Sequence, residues 1–199
     1  KASFSESTQQ MLGMIKNTAE NMSEMISKIL NAQQIEANQI DIRLEKINMT
    51  GLVIAATKEF RILADKKEIN IQIEDTNKKI YGNIDARLLR QILDNLLSNA
   101  IKFSDFGKTI SVHFQEEKSH LRIGIQDQGP GITLEEQGKL FQRFQKLSNK
   151  PTNQEASTGL GLSIVKKYTE AMYGKVWCES TGRNGSTFWI EFPVVDMGV

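Results

Sequence analysis

Asn95-Leu96-Leu97-Ser98-Asn99-Ala100-Ile101-Lys102-Phe103 is the stretch on which the reading of this chain turns. Just ahead of it, Leu89, Ile92 and Leu93 join Leu96 and Ala100 in one broad apolar face at helical spacing. Asp85 is the expected N-cap of that helix. Asn95, Asn99 and Lys102 fall at i, i+4 and i+7, which lines them along one edge of the apolar face. Asparagine is a poor helix former, so two of them at mid-helix need a reason. Either the amides bond neighbouring backbone and Lys102 is solvated, or the ridge holds a hard cation and meets phosphate. Mg²⁺ keeps most of its waters and takes few protein oxygens beside substrate phosphates. One Asn carbonyl fits that demand.

Downstream, residues 109–116 and 121–127 alternate as strands do. By the period of two, Asp127 shares a face with Leu121, Ile123 and Ile125. An ionised carboxylate there is costly unless it has a donor to accept from. Gly129-Pro130-Gly131 follows, removing side chains and bending the backbone. The combination reads as a pocket with an acceptor at its base, suited to an adenine amino group. A turn-capping Asp before a tight turn reads the same residues equally well. Thr158-Gly159-Leu160-Gly161-Leu162 lies where a polar stretch, 145–158, meets a helix predicted over 160–172. Exposed backbone N–H groups and a helix N-terminus suit an anion there, a weak signal by itself.

The remaining elements are a helix over 50–66, a strand marked by Ile69, Ile71 and Ile73, a short helix near 134–141, and strands over 176–179 and 187–194. Residues 38–48 read as a polar connector. Interleaved helices and strands with antiparallel hairpins at the end predict an α+β fold, a two-layer α/β sandwich whose mixed sheet packs on helices. At the other end of the chain, Leu12, Ile15, Ala19, Met22, Ile26 and Ile29 recur at spacings of three and four, a heptad seam on a long helix. That seam is expected to pack on another helix, within or between chains. The chain opens at Lys1 close to this helix and reads as an excised piece.

Bulk composition narrows the function classes. The chain has 199 residues, 39% hydrophobic and 25% charged, and a formal charge of +1. No basic excess points to nucleic acid or a membrane surface. Cys178 is the single cysteine, so it forms no internal disulfide and is expected to be a buried thiol. With His113 and His120 it does not make a zinc site. No apolar run approaches the ~20 residues that span a bilayer, and no signal peptide opens the chain. The piece is expected to be a cytoplasmic portion, with a membrane-anchored sensor upstream left open. Familiar nucleotide and nucleophile motifs fail: Lys102 stands where the first glycine of a P-loop ending in Gly107-Lys108-Thr109 must be, Gly159-Leu160-Gly161 lacks the third glycine of a dinucleotide fingerprint, and no Gly-x-Ser-x-Gly elbow occurs.

Taken in order, the segments resemble the ATP-binding domain of sensor histidine kinases, within the gyrase, Hsp90 and MutL ATPase superfamily. Asn95 to Phe103 resembles the N box. Asp127-Gln128-Gly129-Pro130-Gly131 resembles the first glycine box, Leu140-Phe141-Gln142-Arg143-Phe144 the phenylalanine box, Thr158 to Leu162 the second glycine box, and Gly182 to Phe188 the last. The resemblance runs from about residue 50 to 194. It implies ATP and Mg²⁺ as cofactors, with Asn99 on the metal, Asn95 supporting it, and Lys102 on phosphate. Asp127 would read the adenine amino group, Gly129 and Gly131 would shape the base pocket, and Ser186 would reach the base through water. Backbone groups from Thr158, Gly159, Leu160, Gly161 and Leu162 would hold phosphates. Lys146 would reach the γ-phosphate, with Arg143 the weaker candidate.

The resemblance also implies transfer of the γ-phosphoryl group to a histidine on a dimeric stalk, then to the receiver domain of a response regulator. Residues 1–46 would be the second stalk helix and linker, ending near Ile35-Glu36-Ala37, and residues 47–199 the catalytic domain. The first stalk helix, with its acceptor histidine, would then lie outside this chain, since neither His113 nor His120 has an acceptor's surroundings. In gyrase-like ATPases a glutamate occupies the position of Asn95, and an amide cannot act as a general base, so fast hydrolysis is not expected. Two other readings use the same residues: a serine kinase or ATPase on this fold, such as an anti-sigma-factor kinase, and an ATP-sensing module without chemistry.

Overall fold

The computed structural model describes residues 8, 11–15, 18, 22, 41–74, 78–145, 147–149, 151–152 and 159–195. The chain divides into two compact units, Lys1–Ile40 and Asp41–Val199. In the first, Thr8, residues 11–15, Thr18 and Met22 are helical, and Thr18 Oγ1 donates to the Met14 carbonyl at 2.8 Å. Ala19, Ile26 and Ile29, and with them the expected heptad seam as a whole, lie outside the described residues.

The second unit runs β1 (Glu45–Asn48), α1 (Met49–Asp65), β2 (Asn70–Ile73), β3 (Tyr81–Ile84), α2 (Ala86–Phe103), β4 (Thr109–Glu117), β5 (His120–Gln126), α3 (Leu134–Gln137), α4 (Gly161–Ala171), β6 (Lys175–Ser180) and β7 (Ser186–Pro193). A five-stranded sheet has the order β2-β4-β5-β7-β6. Only the β2–β4 pair is parallel, so the sheet is mixed as predicted. The helices lie on one side, with α2 between α1 and α4. Leu89, Ile92, Leu93, Leu96 and Leu97 of α2 are buried, as are Val112, Leu121, Ile123, Ile125, Ile190 and Phe192 of the sheet. Alternation along each strand aims these residues at the helical layer, and their burial is the main favourable contribution to folding.

The sequence reading misses two short strands. Glu45–Asn48 lies in the expected connector, yet it pairs antiparallel with Tyr81–Ile84 in a separate two-stranded sheet. Asn48 then caps α1, its side chain accepting from the Gly51 N–H. Helix α3 is also shorter than expected, ending at Gln137, with turn residues from Gly138 to Phe141. Among the described residues no helix is long and apolar enough to cross a membrane.

Asp85 sits between β3 and α2 with 2% of its surface exposed. Its Oδ1 accepts from the N–H groups of Arg87 and Leu88, and its Oδ2 from the Arg43 N–H and the Arg87 guanidinium. One carboxylate thus caps α2 and ties residue 43 to the helix N-terminus. Burial works to raise its pKa, but these donors together hold it below the usual carboxylate value. The stabilisation is therefore present above the ordinary carboxylate range and lost as pH falls through the depressed pKa. Asp85→Ala is expected to cost about 2 kcal/mol in denaturant unfolding at neutral pH, with a smaller deficit in acid. An unchanged midpoint at neutral pH would show that the cap does not hold the helix.

Candidate functional site

Asp127 lies just past the end of β5, and its N–H donates to the Ser186 carbonyl at 2.9 Å, extending the strand register. Its side chain is buried, with 7% of the residue exposed. Oδ1 accepts from the N–H groups of Gly129 at 2.8 Å and Ser186 at 3.2 Å. No donor among the described residues reaches Oδ2. Burial pushes the carboxyl above its ordinary pKa, against the opposing pull of the two N–H groups. One oxygen is thus held by the backbone and the other remains an acceptor in an apolar setting.

Glycine makes this arrangement possible. A Cβ on Gly129 would lie 2.7 Å from the Phe103 carbonyl oxygen and 3.0 Å from Asp127 Oδ1. The close approach brings the Asp127 turn against the last residue of α2. Gly185, which sequence reading did not single out, donates its N–H to the Gly129 carbonyl at 2.8 Å, and a side chain there would collide with the Asp127 carbonyl. Its signal was the second glycine of Gly182-Arg183-Asn184-Gly185. Gly131 packs on the backbone of Gly182 and Arg183, and its carbonyl accepts from Asn149 Nδ2 at 2.6 Å. Ser186 is buried and braces Asp127 through its main chain.

On α2, Asn95 donates Nδ2 to the Gln91 carbonyl at 2.8 Å, so half of its amide does bond neighbouring backbone. A Cβ on Gly161, the first residue of α4, would lie 2.8 Å from Asn95 Oδ1. The start of α4 and the Asn ridge of α2 are therefore in contact. Asn99 is half-buried, and its amide makes no hydrogen bond among the described residues. Lys102 is half-buried on the last turn of α2. At the α4 N-cap stands Leu160, buried and with no side-chain hydrogen bond to the first-turn N–H groups. Gly159 precedes it with φ +70, and Leu162 is half-buried in the first turn. Arg143 is half-buried in the turn that follows α3. Lys146 and Thr158 lie outside the described residues. The structure thus gathers Asp127, Gly129, Gly131 and Ser186 in one cluster and Asn95 with Gly161 in another. The contact between Gly129 and Phe103 joins the two.

Cys178, half-buried on β6, has its thiol pushed up to about 12 by burial first and by the Asp127 and Glu179 carboxylates next. It stays a neutral thiol at neutral pH and offers no nucleophile. Glu136 closes a capping box with Thr133 and also accepts from the Ser148 N–H at 2.9 Å and the Ser148 hydroxyl at 2.7 Å. Those two donors, with smaller help from Thr133, hold its carboxyl at about 2. The tie to residue 148 therefore persists through mild acid and is lost only as pH falls toward about 2. The Ser148 amide resonance is expected to titrate near that value in an NMR pH series. A midpoint at the ordinary glutamate pKa would mean that the tie is not made.

The sequence pattern of the family described as histidine kinase-, DNA gyrase B-, and HSP90-like ATPase matches residues 84–196. The circadian input-output histidine kinase CikA of Synechococcus elongatus is 32% identical over 96% of this chain, and the sensor protein GacS of Pseudomonas syringae 35% over 92%. The chain spans only 26% and 21% of those two relatives' own lengths. A solved mycobacterial sensor histidine kinase, MprB, superposes on 77% of this chain and 100% of its own, with a TM-score of 0.68 at 26% identity.

Proposed function

We propose, from the premise that this chain belongs to the histidine kinase-, DNA gyrase B-, and HSP90-like ATPase family and carries the catalytic ATP-binding domain of a sensor histidine kinase, that it binds Mg-ATP and passes the γ-phosphoryl group to a histidine on a stalk helix. From there the group would go to a response-regulator aspartate. One observation carries the nucleotide half of this reading: the buried Asp127 carboxylate, with Oδ1 committed to backbone N–H groups and Oδ2 left as an acceptor. An adenine amino group is a donor of the right kind. The alternative, a turn cap alone, accounts for Oδ1 but leaves the second oxygen desolvated with no donor among the described residues.

The phosphate end is supported by the residues around Asn99. A neutral amide oxygen with no hydrogen bond among the described residues suits a hard cation shared with phosphates. Mg²⁺ would supply charge neutralisation for the triphosphate, held by Asn99 with Asn95 in support. The first turn of α4, which lacks a side-chain cap at Leu160, offers N–H groups to phosphate oxygens. Gly161 and Leu162 belong to that turn and Gly159 precedes it; Thr158 would add to it, Lys102 would approach the phosphates from α2, and Lys146 or Arg143 would meet the γ-phosphate. The protein's own contribution is positioning and charge complementarity around the transferring group. Residues 1–46 would be stalk and linker, docking on a stalk helix of the same or a second protomer, and the whole protein would carry its sensor elsewhere, with or without a membrane anchor.

His113 lies within β4, its Nε2 3.1 Å from Gln126 Oε1, and His120 opens β5 beside Ser119. Neither stands on a helix. Incubated alone with γ-labelled ATP, this chain is therefore expected to stay unlabelled, yet to label an added fragment bearing an acceptor helix through an acid-labile bond. An acid-stable label would favour a serine kinase, and no label under any pairing would favour a nucleotide sensor.

Asp127→Asn is expected to weaken nucleotide binding by roughly 100-fold, since an amide presents a donor where an acceptor is needed. It is not expected to lower the melting temperature without nucleotide, because burial of the charge opposes folding. The sign is fixed by the raised pKa: the folded domain binds this proton more tightly, so the destabilising contribution grows as pH rises through the raised value. Nucleotide affinity should change in the opposite sense, falling as acid protonates Asp127. Calorimetric titration at several pH values tests both, and unchanged affinity in the variant would remove Asp127 from the site.

A further inference from the structure

Lys67 lies in the turn between α1 and β2 with only 4% of its surface exposed. Lysine is rarely buried to this degree unless its ammonium finds acceptors. Here Nζ donates to the Ile101 carbonyl at 3.1 Å, to the Lys102 carbonyl at 3.4 Å, and to Thr152 Oγ1 at 2.8 Å. The main chain adds to the hold, because the Lys67 carbonyl accepts from the Gly107 N–H at 3.0 Å.

The two carbonyls belong to the last turn of α2. Such groups lack intrahelical donors and form the negative end of the helix dipole, so a desolvated ammonium satisfies them twice over, as donor and as charge. The C-cap residue Ser104 is extended, and its N–H returns to Ala100, which leaves Ile101 and Lys102 for other donors. Thr152 completes the cluster. Its N–H donates to the Lys102 carbonyl at 3.1 Å, and its hydroxyl lies 3.0 Å from the Ser104 carbonyl. The turn so gripped carries the Lys102 side chain and follows directly on Asn99, and its Phe103 carbonyl is the group that Gly129 packs against.

We infer that Lys67 is a positioning residue for phosphate and metal binding: its buried ammonium, together with Thr152, fixes the last turn of α2, so that Asn99 and Lys102 meet the triphosphate in register. The inference rests on reading that end of α2 as the phosphate end. It separates the two halves of the site, because the hydrogen bonds that hold the Asp127 carboxylate come from the Gly129 and Ser186 N–H groups and none from Lys67.

The test compares two probes on the full chain, adenosine and the Mg²⁺ complex of a non-hydrolysable ATP analogue, both by NMR titration. Lys67→Met is expected to weaken the Mg-analogue roughly tenfold while adenosine stays within about twofold. Lys67→Arg should restore most of the loss. Thr152→Val keeps the ammonium buried and should give the same selectivity at roughly threefold, and it carries the test if Lys67→Met does not fold. Parallel weakening of both probes, or no change in either, would reduce Lys67 to a structural lysine and overturn the inference. A native chain that binds neither probe would sink the underlying reading and the role of Lys67 with it. One that binds both, with Lys67→Met indistinguishable from it, would sink the role of Lys67 alone.

Discussion

A carboxylate kept out of water is the constraint around which the second unit is arranged. Asp127 is tolerated because the Gly129 and Ser186 N–H groups both converge on one oxygen. That convergence needs backbone to come closer than side chains allow. Gly129 lets the turn close on the end of α2, and Gly185 lets the loop before β7 close on Asp127 itself. The Ser186–Asp127 backbone pair then locks the turn into the register of the β5–β7 ladder. Stability is surrendered here, since burial of the charge opposes folding, and what remains is a buried carboxylate oxygen with no donor among the described residues.

The Asn95–Asn99 edge belongs to a helix that cannot be moved without disturbing the core. Eight residues of α2 are buried, and the helix lies between α1 and α4 against the sheet. Its polar edge is therefore fixed by the packing of its apolar face. Both ends are closed by buried charges of the appropriate sign, Asp85 at the positive end of the dipole and Lys67 at the negative end. A rigid helix with pinned termini suits a site whose work is geometric, where small displacements of ligand-bearing groups are costly.

Much of this was legible in the chain because the signals were periodic or sterically demanding. The apolar spacing from Leu89 to Ala100 and the cap at Asp85 placed α2 within its observed bounds, and Thr109 to Gln126 read correctly as two strands. β1 and β3 escaped because four residues such as Tyr81-Gly82-Asn83-Ile84 carry too little alternation to distinguish a strand from a polar connector. Gly82 is there because Met49 and the Pro193 carbonyl crowd its Cα, a tertiary reason with no local signature. Lys67 escaped for a like cause. In Lys66-Lys67-Glu68 it looks like a solvated turn residue, and the return of the chain at Ile101 and Thr152 gives its ammonium partners. Sequence shows which face of an element is apolar, whereas it is silent on which distant carbonyls a single long side chain will find.

Asn95 shows how the two kinds of information combine. From sequence it was either a backbone-bonding amide or part of a metal ridge, and the structure shows the first without using the oxygen that the second needs. Nδ2 is spent on the Gln91 carbonyl, which fixes the plane of the amide and turns Oδ1 toward Gly161. An oxygen oriented in this way can accept from a water or a backbone N–H, but it cannot take a proton away. On the proposed reading, the position where a related ATPase would hold a base is thus filled by a group able to orient and unable to activate. Bound ATP would then persist until a second protein group, the acceptor imidazole, arrives as the nucleophile. On the same reading, a kinase that must wait for its acceptor would gain from having no base of its own beside the phosphates, and an amide held by its own helix at residue 95 would supply none.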